Sequence, residues 1–177
     1  ILMKKTTLIF ICLSAFLITF AQTEDASARR KTVPVVSIKD IYGNLFSTAD
    51  INNGGKPIIL DFWATWCKPC VRELSAISDV YDDWVKETGV KLYAISIDDT
   101  RSSSQVRPYV DGKGWSYTVL LDQNSDLKRA MGVGPIPMTF VLNGKGEIVW
   151  SHTTFAEGNE NDIIEVVRKI VKGEEIK

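Results

Sequence analysis

The order of apolar and polar residues predicts two buried strands separated by a long amphipathic helix. Residues 58–62 and 90–97 are mostly apolar runs, which are typical of strands covered on both faces. Between them, apolar residues recur at steps of three and four after Pro69, and the predicted helix ends at Gly89. The residues on the apolar side of this helix are Leu74, Ile77, Tyr81, Trp84 and Val85.

Shorter patterns complete an α/β arrangement. We expect one hairpin at residues 35–46 and another at 139–151, each around a turn that contains glycine. The other predicted elements are a helix at 102–110, a strand at 115–121, a short helix at 126–131 capped by Ser125, and a final helix beginning at Asn161 or Asp162. Strands that alternate with helices and close on a hairpin indicate an α/β sandwich, with a central mixed sheet flanked by helices.

The beginning of the chain has the pattern of a secretory signal peptide. Two lysines at positions 4 and 5 precede an apolar run at residues 8–20, which is short for a transmembrane helix. Cleavage is expected after Ala21 or as late as after Ala28, and an uncleaved membrane anchor is the alternative. The predicted organisation is a signal peptide at 1–21, a polar linker at 22–34 and one folded domain at 35–177. We therefore expect a periplasmic or otherwise extracytoplasmic protein.

Composition and charge narrow the possible functions. The chain is 45% hydrophobic and 24% charged, with a formal net charge of -1, so no basic excess indicates nucleic-acid binding. Of the 3 cysteines, Cys12 lies in the predicted signal peptide, and the exported chain keeps only Cys67 and Cys70. Two cysteines so close together provide no structural disulfide framework.

Cys67 and Cys70 form a Cys-x-x-Cys pair where a buried strand leads into the long helix. At a helix N-terminus, free N–H groups and the positive end of the helix dipole favour a thiolate over a thiol. Attack by one thiolate on a disulfide leaves its neighbour ready to resolve the mixed disulfide. We interpret Cys67 as the nucleophile and Cys70 as the resolving thiol, so the redox-active disulfide serves without a further cofactor.

Other uses of the cysteine pair fit the sequence less well. A zinc site needs four ligands, and the remaining Cys or His candidates are Cys12 and His152, far away in sequence. Covalent haem attachment requires a histidine where Val71 stands. A structural disulfide across two residues removes little entropy from the unfolded chain. We expect no bound metal.

One segment resembles the active site of the thioredoxin superfamily: Asp61-Phe62-Trp63-Ala64-Thr65-Trp66-Cys67-Lys68-Pro69-Cys70. Followed by Val71-Arg72-Glu73 in an exported chain, it is similar to the TlpA/ResA-type branch of extracytoplasmic thiol-disulfide oxidoreductases. Ile136-Pro137 and residues 143–147 match further landmarks, and the similarity runs from Val35 to the C-terminus. The resemblance implies a thioredoxin-like sandwich with an extra N-terminal hairpin and a central insert at 99–126.

The resemblance also implies an activity and partners. The expected enzyme is a monomer that reduces disulfides in protein substrates, receives electrons from a membrane donor of the thioredoxin-reducing type, and serves c-type cytochrome maturation. An oxidant or isomerase and a copper-binding thioredoxin-like chaperone stay open as alternatives. The family pattern further implies a cis peptide bond before Pro137, with the neighbouring backbone free to pair with a substrate strand.

Two acids near the cysteines are candidate catalytic residues. Asp61 interrupts an apolar strand, where burial would raise its pKa and let it exchange a proton with Cys70. Glu73 lies three residues after Cys70, hence one helical turn away, and the family resemblance associates an acid there with activity. We expect both acids to approach Cys70, with Asp61 the more deeply buried. An exposed Glu73 paired with Lys or Arg is the alternative.

The candidate substrate-binding residues surround the same motif. Trp66 either covers the sulfurs and docks a partner or only packs in the core, and Lys68 either favours the thiolate or is a solvated surface group. The full predicted set is Trp66, Lys68, Pro69, Ile136 and Pro137.

Overall fold

A seven-stranded mixed sheet forms the centre of residues 31–176, the part of the chain that the computed structural model describes. The strands are β1 (Ser37–Asp40), β2 (Leu45–Ser47), β3 (Ile58–Trp63), β4 (Lys91–Ser96), β5 (Thr118–Leu121), β6 (Met138–Leu142) and β7 (Ile148–Thr153). The helices are α1 (Lys68–Thr88), α2 (Val106–Lys113), α3 (Asp126–Ala130) and α4 (Glu160–Lys172). The predicted signal peptide at 1–21, with Cys12, lies outside the described residues.

The strand order is β2-β1-β5-β4-β3-β6-β7. Strands β3, β4 and β5 are parallel, whereas β6 runs antiparallel to β3 and β7 antiparallel to β6. The N-terminal hairpin of β1 and β2 extends the sheet by pairing β1 antiparallel to β5. The predicted α/β sandwich with a mixed sheet, an extra N-terminal hairpin and an inserted helix and strand is therefore confirmed.

Strand β3 is buried along its whole length, and its side chains alternate between two cores. Ile59 and Trp63 pack on the face covered by α1, α2 and α4, while Leu60 and Phe62 pack on the opposite face with α3 and the N-terminal hairpin. In this alternation Asp61 shares a face of the sheet with Ile59 and Trp63. The strand therefore directs a carboxyl group towards the α1 side of the sheet.

Helix α1 places its first turn at the carboxyl end of β3. Pro69 occupies the first turn, where a missing backbone N–H costs no helical hydrogen bond. Gly89 ends the helix in the left-handed conformation (φ 67°), which glycine adopts without steric cost, as the sequence predicts. Val85 differs from the prediction, because it lies at the border of the apolar stripe and is 40% exposed.

Several other details differ from the sequence prediction. The helix predicted at 102–110 is α2, Val106–Lys113. The strand predicted at 115–121 begins only at Thr118. The side chain of Ser125 makes no capping hydrogen bond to α3; instead the carboxylate of Asp122 accepts from the backbone N–H groups of Leu127 and Lys128, at 3.2 and 2.8 Å. Residues 31–34, predicted as linker, lie along the sheet, where Thr32 bridges to Glu147. No helix within residues 31–176 is both long and apolar enough to span a bilayer.

Candidate active site

Cys67 and Cys70 form a disulfide at the N-terminus of α1. Cys67 is the N-cap residue, and its sulfur accepts a hydrogen bond from the backbone N–H of Cys70 at 3.3 Å. This donor and the positive end of a 21-residue helix both stabilise negative charge on the Cys67 sulfur once the disulfide opens. Cys67 is 6% exposed and Cys70 is 0% exposed, so both are buried and Cys67 lies nearer the surface.

The loop before β6 lies against the disulfide. The Ile136–Pro137 peptide bond is cis, as predicted, whereas Pro69 and Pro135 follow trans bonds. The carbonyl oxygen of Ile136 is 3.9 Å from the Cys67 sulfur. The carbonyl oxygen of Pro137 accepts hydrogen bonds from Thr153 Oγ1 and Thr154 N, at 3.2 and 3.1 Å, which fixes this loop to the end of β7.

Asp61 and Glu73 meet at one threonine. Thr139 Oγ1 lies 3.0 Å from Asp61 Oδ2 and 3.0 Å from Glu73 Oε1. Asp61 is 0% exposed and Glu73 is 1% exposed, so Glu73 is not the solvent-facing partner of a cation. The structure thus brings a strand residue and a helix residue into one buried acidic pair, on the side of the sheet where α1 packs.

Burial governs the protonation of this pair. It raises the pKa of Asp61 well above its ordinary value, and the adjacent Glu73 carboxylate raises it further, while the Thr139 hydroxyl lowers it. Burial also raises the pKa of Glu73 to about 7, with Thr139 opposing the shift and the charge of Glu160 adding to it. One of the two carboxyl groups can therefore carry a proton at neutral pH.

A further buried acid, Asp98, anchors the segment that carries the cysteines. Its carboxylate accepts hydrogen bonds from Thr65 N at 2.9 Å, Thr65 Oγ1 at 2.6 Å and Ser96 Oγ at 2.9 Å. Thr65 is followed directly by Trp66 and Cys67. Asp98 therefore fixes the turn between β3 and α1 without needing a counterion.

The predicted substrate-binding residues differ in exposure. Trp66 is 64% exposed, which excludes the alternative that it only packs in the core. Lys68 is also exposed, and Pro69 and Ile136 are partly exposed, whereas Pro137 is buried. Trp66, Lys68 and Pro69 are continuous with Cys67 in the chain, and Ile136 contacts its sulfur. Exposed apolar side chains and the cationic Lys68 therefore lie beside Cys67 in the chain.

His152 is partly buried on β7, where its ring stacks on Trp150 at 5.7 Å. It is the register partner of Thr139, and its Nε2 atom is buried without a hydrogen-bond partner among the described residues. Within residues 31–176, no group of three or more His, Cys, Asp or Glu side chains could hold a metal ion.

Thr139 and Asp98 are the site residues that reasoning from the sequence did not identify. Thr139 is a polar residue inside a strand of otherwise apolar residues, which is the same signal that singled out Asp61. Asp98 follows a buried strand at its carboxyl end, where polar side chains of parallel sheets commonly approach a site. The position of both residues in the alternation was visible in the sequence, but their partners were not.

Known proteins share this arrangement of fold and sequence. The AhpC/TSA family model matches residues 30–151. The thiol-disulfide oxidoreductase ResA of Geobacillus kaustophilus (strain HTA426) is 29% identical over 151 residues, which is 83% of this chain and 84% of that protein. ResA of Halalkalibacterium halodurans is 30% identical over 155 residues, which is 88% of this chain and 83% of that protein.

A solved structure is also similar to this chain. The solution structure of an uncharacterized thioredoxin-like protein from Porphyromonas gingivalis is 51% identical, with a TM-score of 0.72, and covers 79% of this chain and 92% of that protein. The chain belongs to the AhpC/TSA family and to its TlpA/ResA-type thiol-disulfide oxidoreductases, enzymes that exchange disulfides with the thiols of other proteins.

Proposed function

We propose that this oxidoreductase works outside the cytoplasm as a reductant of protein disulfides, in the maturation of c-type cytochromes. A membrane protein of the thioredoxin-reducing type would return it to the dithiol form. The observation that carries the proposal is the Cys67–Cys70 disulfide at the N-terminus of α1, because that position favours the thiolate that attacks a substrate disulfide. The signal-peptide pattern of residues 1–21 supports the location.

The proposed reaction has two steps. The Cys67 thiolate attacks one sulfur of the substrate disulfide, which forms a mixed disulfide and releases the other substrate sulfur as a thiolate. Cys70 then loses its proton and attacks the Cys67 sulfur, so that the second substrate sulfur leaves and the Cys67–Cys70 disulfide forms. Two electrons pass from the enzyme dithiol to the substrate. The Cys67 proton has left to solvent and the Cys70 proton goes to the acid pair, while the two substrate thiolates take up two protons from solvent.

Asp61 and Glu73 are proposed as the acid and base of these steps. Each keeps one carboxyl oxygen, Asp61 Oδ1 and Glu73 Oε2, buried and without a hydrogen-bond partner among residues 31–176. Such an oxygen can accept the Cys70 proton as the mixed disulfide resolves, because the raised pKa of each carboxyl group makes it a stronger base than an exposed one. The same group can donate a proton to the Cys70 sulfur when the disulfide is reduced again.

The proposed docking surface consists of the exposed residues beside Cys67. Trp66 and Pro69 offer apolar contact, Lys68 offers a positive charge, and the Ile136 backbone lies next to the sulfur. A substrate strand that pairs with the backbone before Pro137 would place its disulfide against Cys67. Pro137 supports this loop from the interior.

The reduction potential tests the direction of electron flow. Purified protein is equilibrated with a series of glutathione and dithiothreitol buffers, and the dithiol fraction is measured by alkylation. We expect a potential nearer the roughly -270 mV of a thioredoxin-type reductant than the roughly -120 mV of a strong oxidant. A value at the oxidising end would contradict the proposal and favour the oxidant or isomerase alternative.

The substrate is tested with an oxidised peptide that carries the Cys-x-x-Cys-His haem-attachment sequence. The dithiol enzyme should reduce this peptide faster than insulin, and the matched Cys67→Ser variant should reduce neither. Equal rates on both substrates would remove the proposed role in cytochrome maturation, while leaving the oxidoreductase activity in place.

A further inference from the structure

The Thr139 hydroxyl contacts two carboxyl groups but has one hydrogen to donate. Its oxygen lies 3.0 Å from Asp61 Oδ2 and 3.0 Å from Glu73 Oε1, and both distances are those of hydrogen bonds. If both carboxyl groups were ionised, one of the two contacts would set a lone pair of the hydroxyl against a carboxylate oxygen. Both contacts are favourable only when at least one carboxyl group is protonated and donates to Thr139.

The surroundings of this triad provide no other charge compensation. None of the ion pairs found within residues 31–176 includes Asp61 or Glu73. The ionisable groups that face it from packed elements are Glu160 on α4, Tyr117 before β5 and His152 on β7. Glu160 adds negative charge, and the Tyr117 hydroxyl donates to the Leu74 carbonyl oxygen at 3.2 Å instead of to the acids. A retained proton is therefore the available way to limit the charge of the pair.

We propose that Asp61, Thr139 and Glu73 hold one shared proton, which the Thr139 hydroxyl passes between the two carboxyl groups. In this transfer Asp61 gives its proton to Thr139 Oγ1 while the hydroxyl proton of Thr139 moves to Glu73 Oε1. The reverse transfer restores the first state, and no bond between heavy atoms forms or breaks. Thr139 is thus a positioning residue that acts through the two acids.

The role of the shared proton in disulfide exchange depends on the proposed function. Asp61 is held by the sheet and Glu73 by α1, so the two carboxyl groups of the pair are fixed by different elements. A proton taken from Cys70 by one acid can leave through the other without passing through water. The pair therefore recovers the same charge after each half-reaction.

The proton is located by nuclear magnetic resonance on the oxidised protein, in which neither cysteine titrates. Carboxyl carbons of Asp61 and Glu73 are labelled with ¹³C and followed from pH 3 to 10. We expect two titration steps, with both carbons shifting in each step, since a shared proton belongs to the pair. If each carbon shifts in a single step of its own, the proton resides on one residue and the proposal is overturned, whatever the variants show.

Thr139→Val removes the hydroxyl at nearly constant shape, and Thr139→Ser restores it. The singly protonated pair gains most from Thr139, so in Thr139→Val the lower step should move up and the upper step down, narrowing their separation by about one pKa unit. Thr139→Ser should keep the wild-type separation. A merely structural contact would shift one step or move both in the same direction, which would also overturn the proposal.

Thr153→Val is the matched control, because it removes a strand hydroxyl that binds Pro137 O instead of the acids. It should leave the titration unchanged. The pH profile of disulfide exchange tests the catalytic role of the acids separately from the shared proton. If Thr139→Val changes the carboxyl titration while Thr139→Val and Asp61→Asn both keep the wild-type exchange profile, the shared proton stands and the catalytic role of the acids fails.

Discussion

Asp61 and Thr139 are register partners on the antiparallel strands β3 and β6, and a 3.0 Å hydrogen bond joins their side chains. The contact is therefore built into the pairing of two central strands and does not depend on a mobile loop. Because Glu73 reaches the same hydroxyl from α1, the packing of that helix on the sheet sets the distance between the two acids. Protonation of the acids and tertiary packing are consequently linked.

The first prediction concerns stability and pH. A carboxyl group whose pKa is higher in the folded state than in the unfolded state stabilises the fold at low pH and loses that effect as pH rises. For Glu73 the loss should extend from its ordinary value of 4.5 to about 7, at up to about 1.4 kcal/mol per pH unit. In Glu73→Gln the free energy of unfolding should fall less steeply with pH over this interval, as measured by urea denaturation, and Asp61 accounts for the slope that remains.

In Asp61→Asn, as in Glu73→Gln, the free energy of unfolding should fall less steeply than in wild type as pH rises. Because burial raises the Asp61 pKa, urea denaturation should find the variant more stable than wild type at pH 8 and similar to it at pH 4. Disulfide exchange should slow in the same variant. The control is Asp83→Asn on the exposed side of α1, which should change neither. Equal stability and equal exchange rates in Asp61→Asn and wild type would show that Asp61 is only a strand residue.

The elements predicted correctly from the sequence are those whose structure is determined by neighbouring residues alone. A strand covered on both faces is continuously apolar, so β3 is readable, and a left-handed glycine marks the end of α1 at Gly89. Ser125 failed as a cap because a carboxylate three residues earlier, Asp122, reaches the same N–H groups. The predicted burial of Val85 was wrong because periodicity gives the direction of a side chain but not the width of the surface that covers the helix.

The sequence predicted those residues of the candidate site that lie close together in the chain. The Cys67–Cys70 pair and Glu73 share the first turns of α1, and Asp61 stands out in an apolar run. Thr139 lies 66 residues after Glu73, and its contact depends on the register of β6 and the position of α1 together. Neither quantity is contained in a local pattern, so the link between the acids required the structure.

A second prediction concerns Asp98. Replacing it with Asn leaves one oxygen acceptor, so the side chain can no longer accept from both Thr65 N and Thr65 Oγ1, and the remaining hydrogen bonds lose their charge assistance. We expect a loss of about 1–3 kcal/mol in the free energy of unfolding, and slower exchange because the turn before Cys67 is less fixed. Urea denaturation and exchange kinetics measure the two effects.

The neighbouring acid offers a control for Asp98. Asp99 binds Arg101 and Ser102 and makes no contact with Thr65, so Asp99→Asn should leave the exchange rate unchanged. A wild-type exchange rate in Asp98→Asn would mean that the turn is held by other contacts.

A third prediction concerns Trp66. Because its side chain is 64% exposed, Trp66→Ala should change the unfolding free energy by no more than about 0.5 kcal/mol. If the ring docks the substrate protein, the same change should raise KM roughly tenfold with little effect on kcat, as for an aromatic anchor in an interface. Leu45 is also an exposed apolar residue, on the edge strand β2, and Leu45→Ala is the control that should leave KM unaltered. An unchanged KM in Trp66→Ala would remove Trp66 from the docking surface.

The last prediction separates the two sulfurs. Cys67 caps α1, accepts the Cys70 N–H and lies nearer the surface, so it should be the thiolate that attacks. In Cys70→Ser the attack can still occur, but resolution cannot, and a covalent mixed disulfide with an oxidised substrate protein should accumulate. In Cys67→Ser the remaining thiol is buried and lacks the cap position, so no such species should form. Non-reducing electrophoresis followed by mass spectrometry identifies the linked cysteine, and limiting alkylation of the reduced wild type should label Cys67 first. Accumulation of a mixed disulfide in Cys67→Ser, or preferential labelling of Cys70, would reverse the two roles.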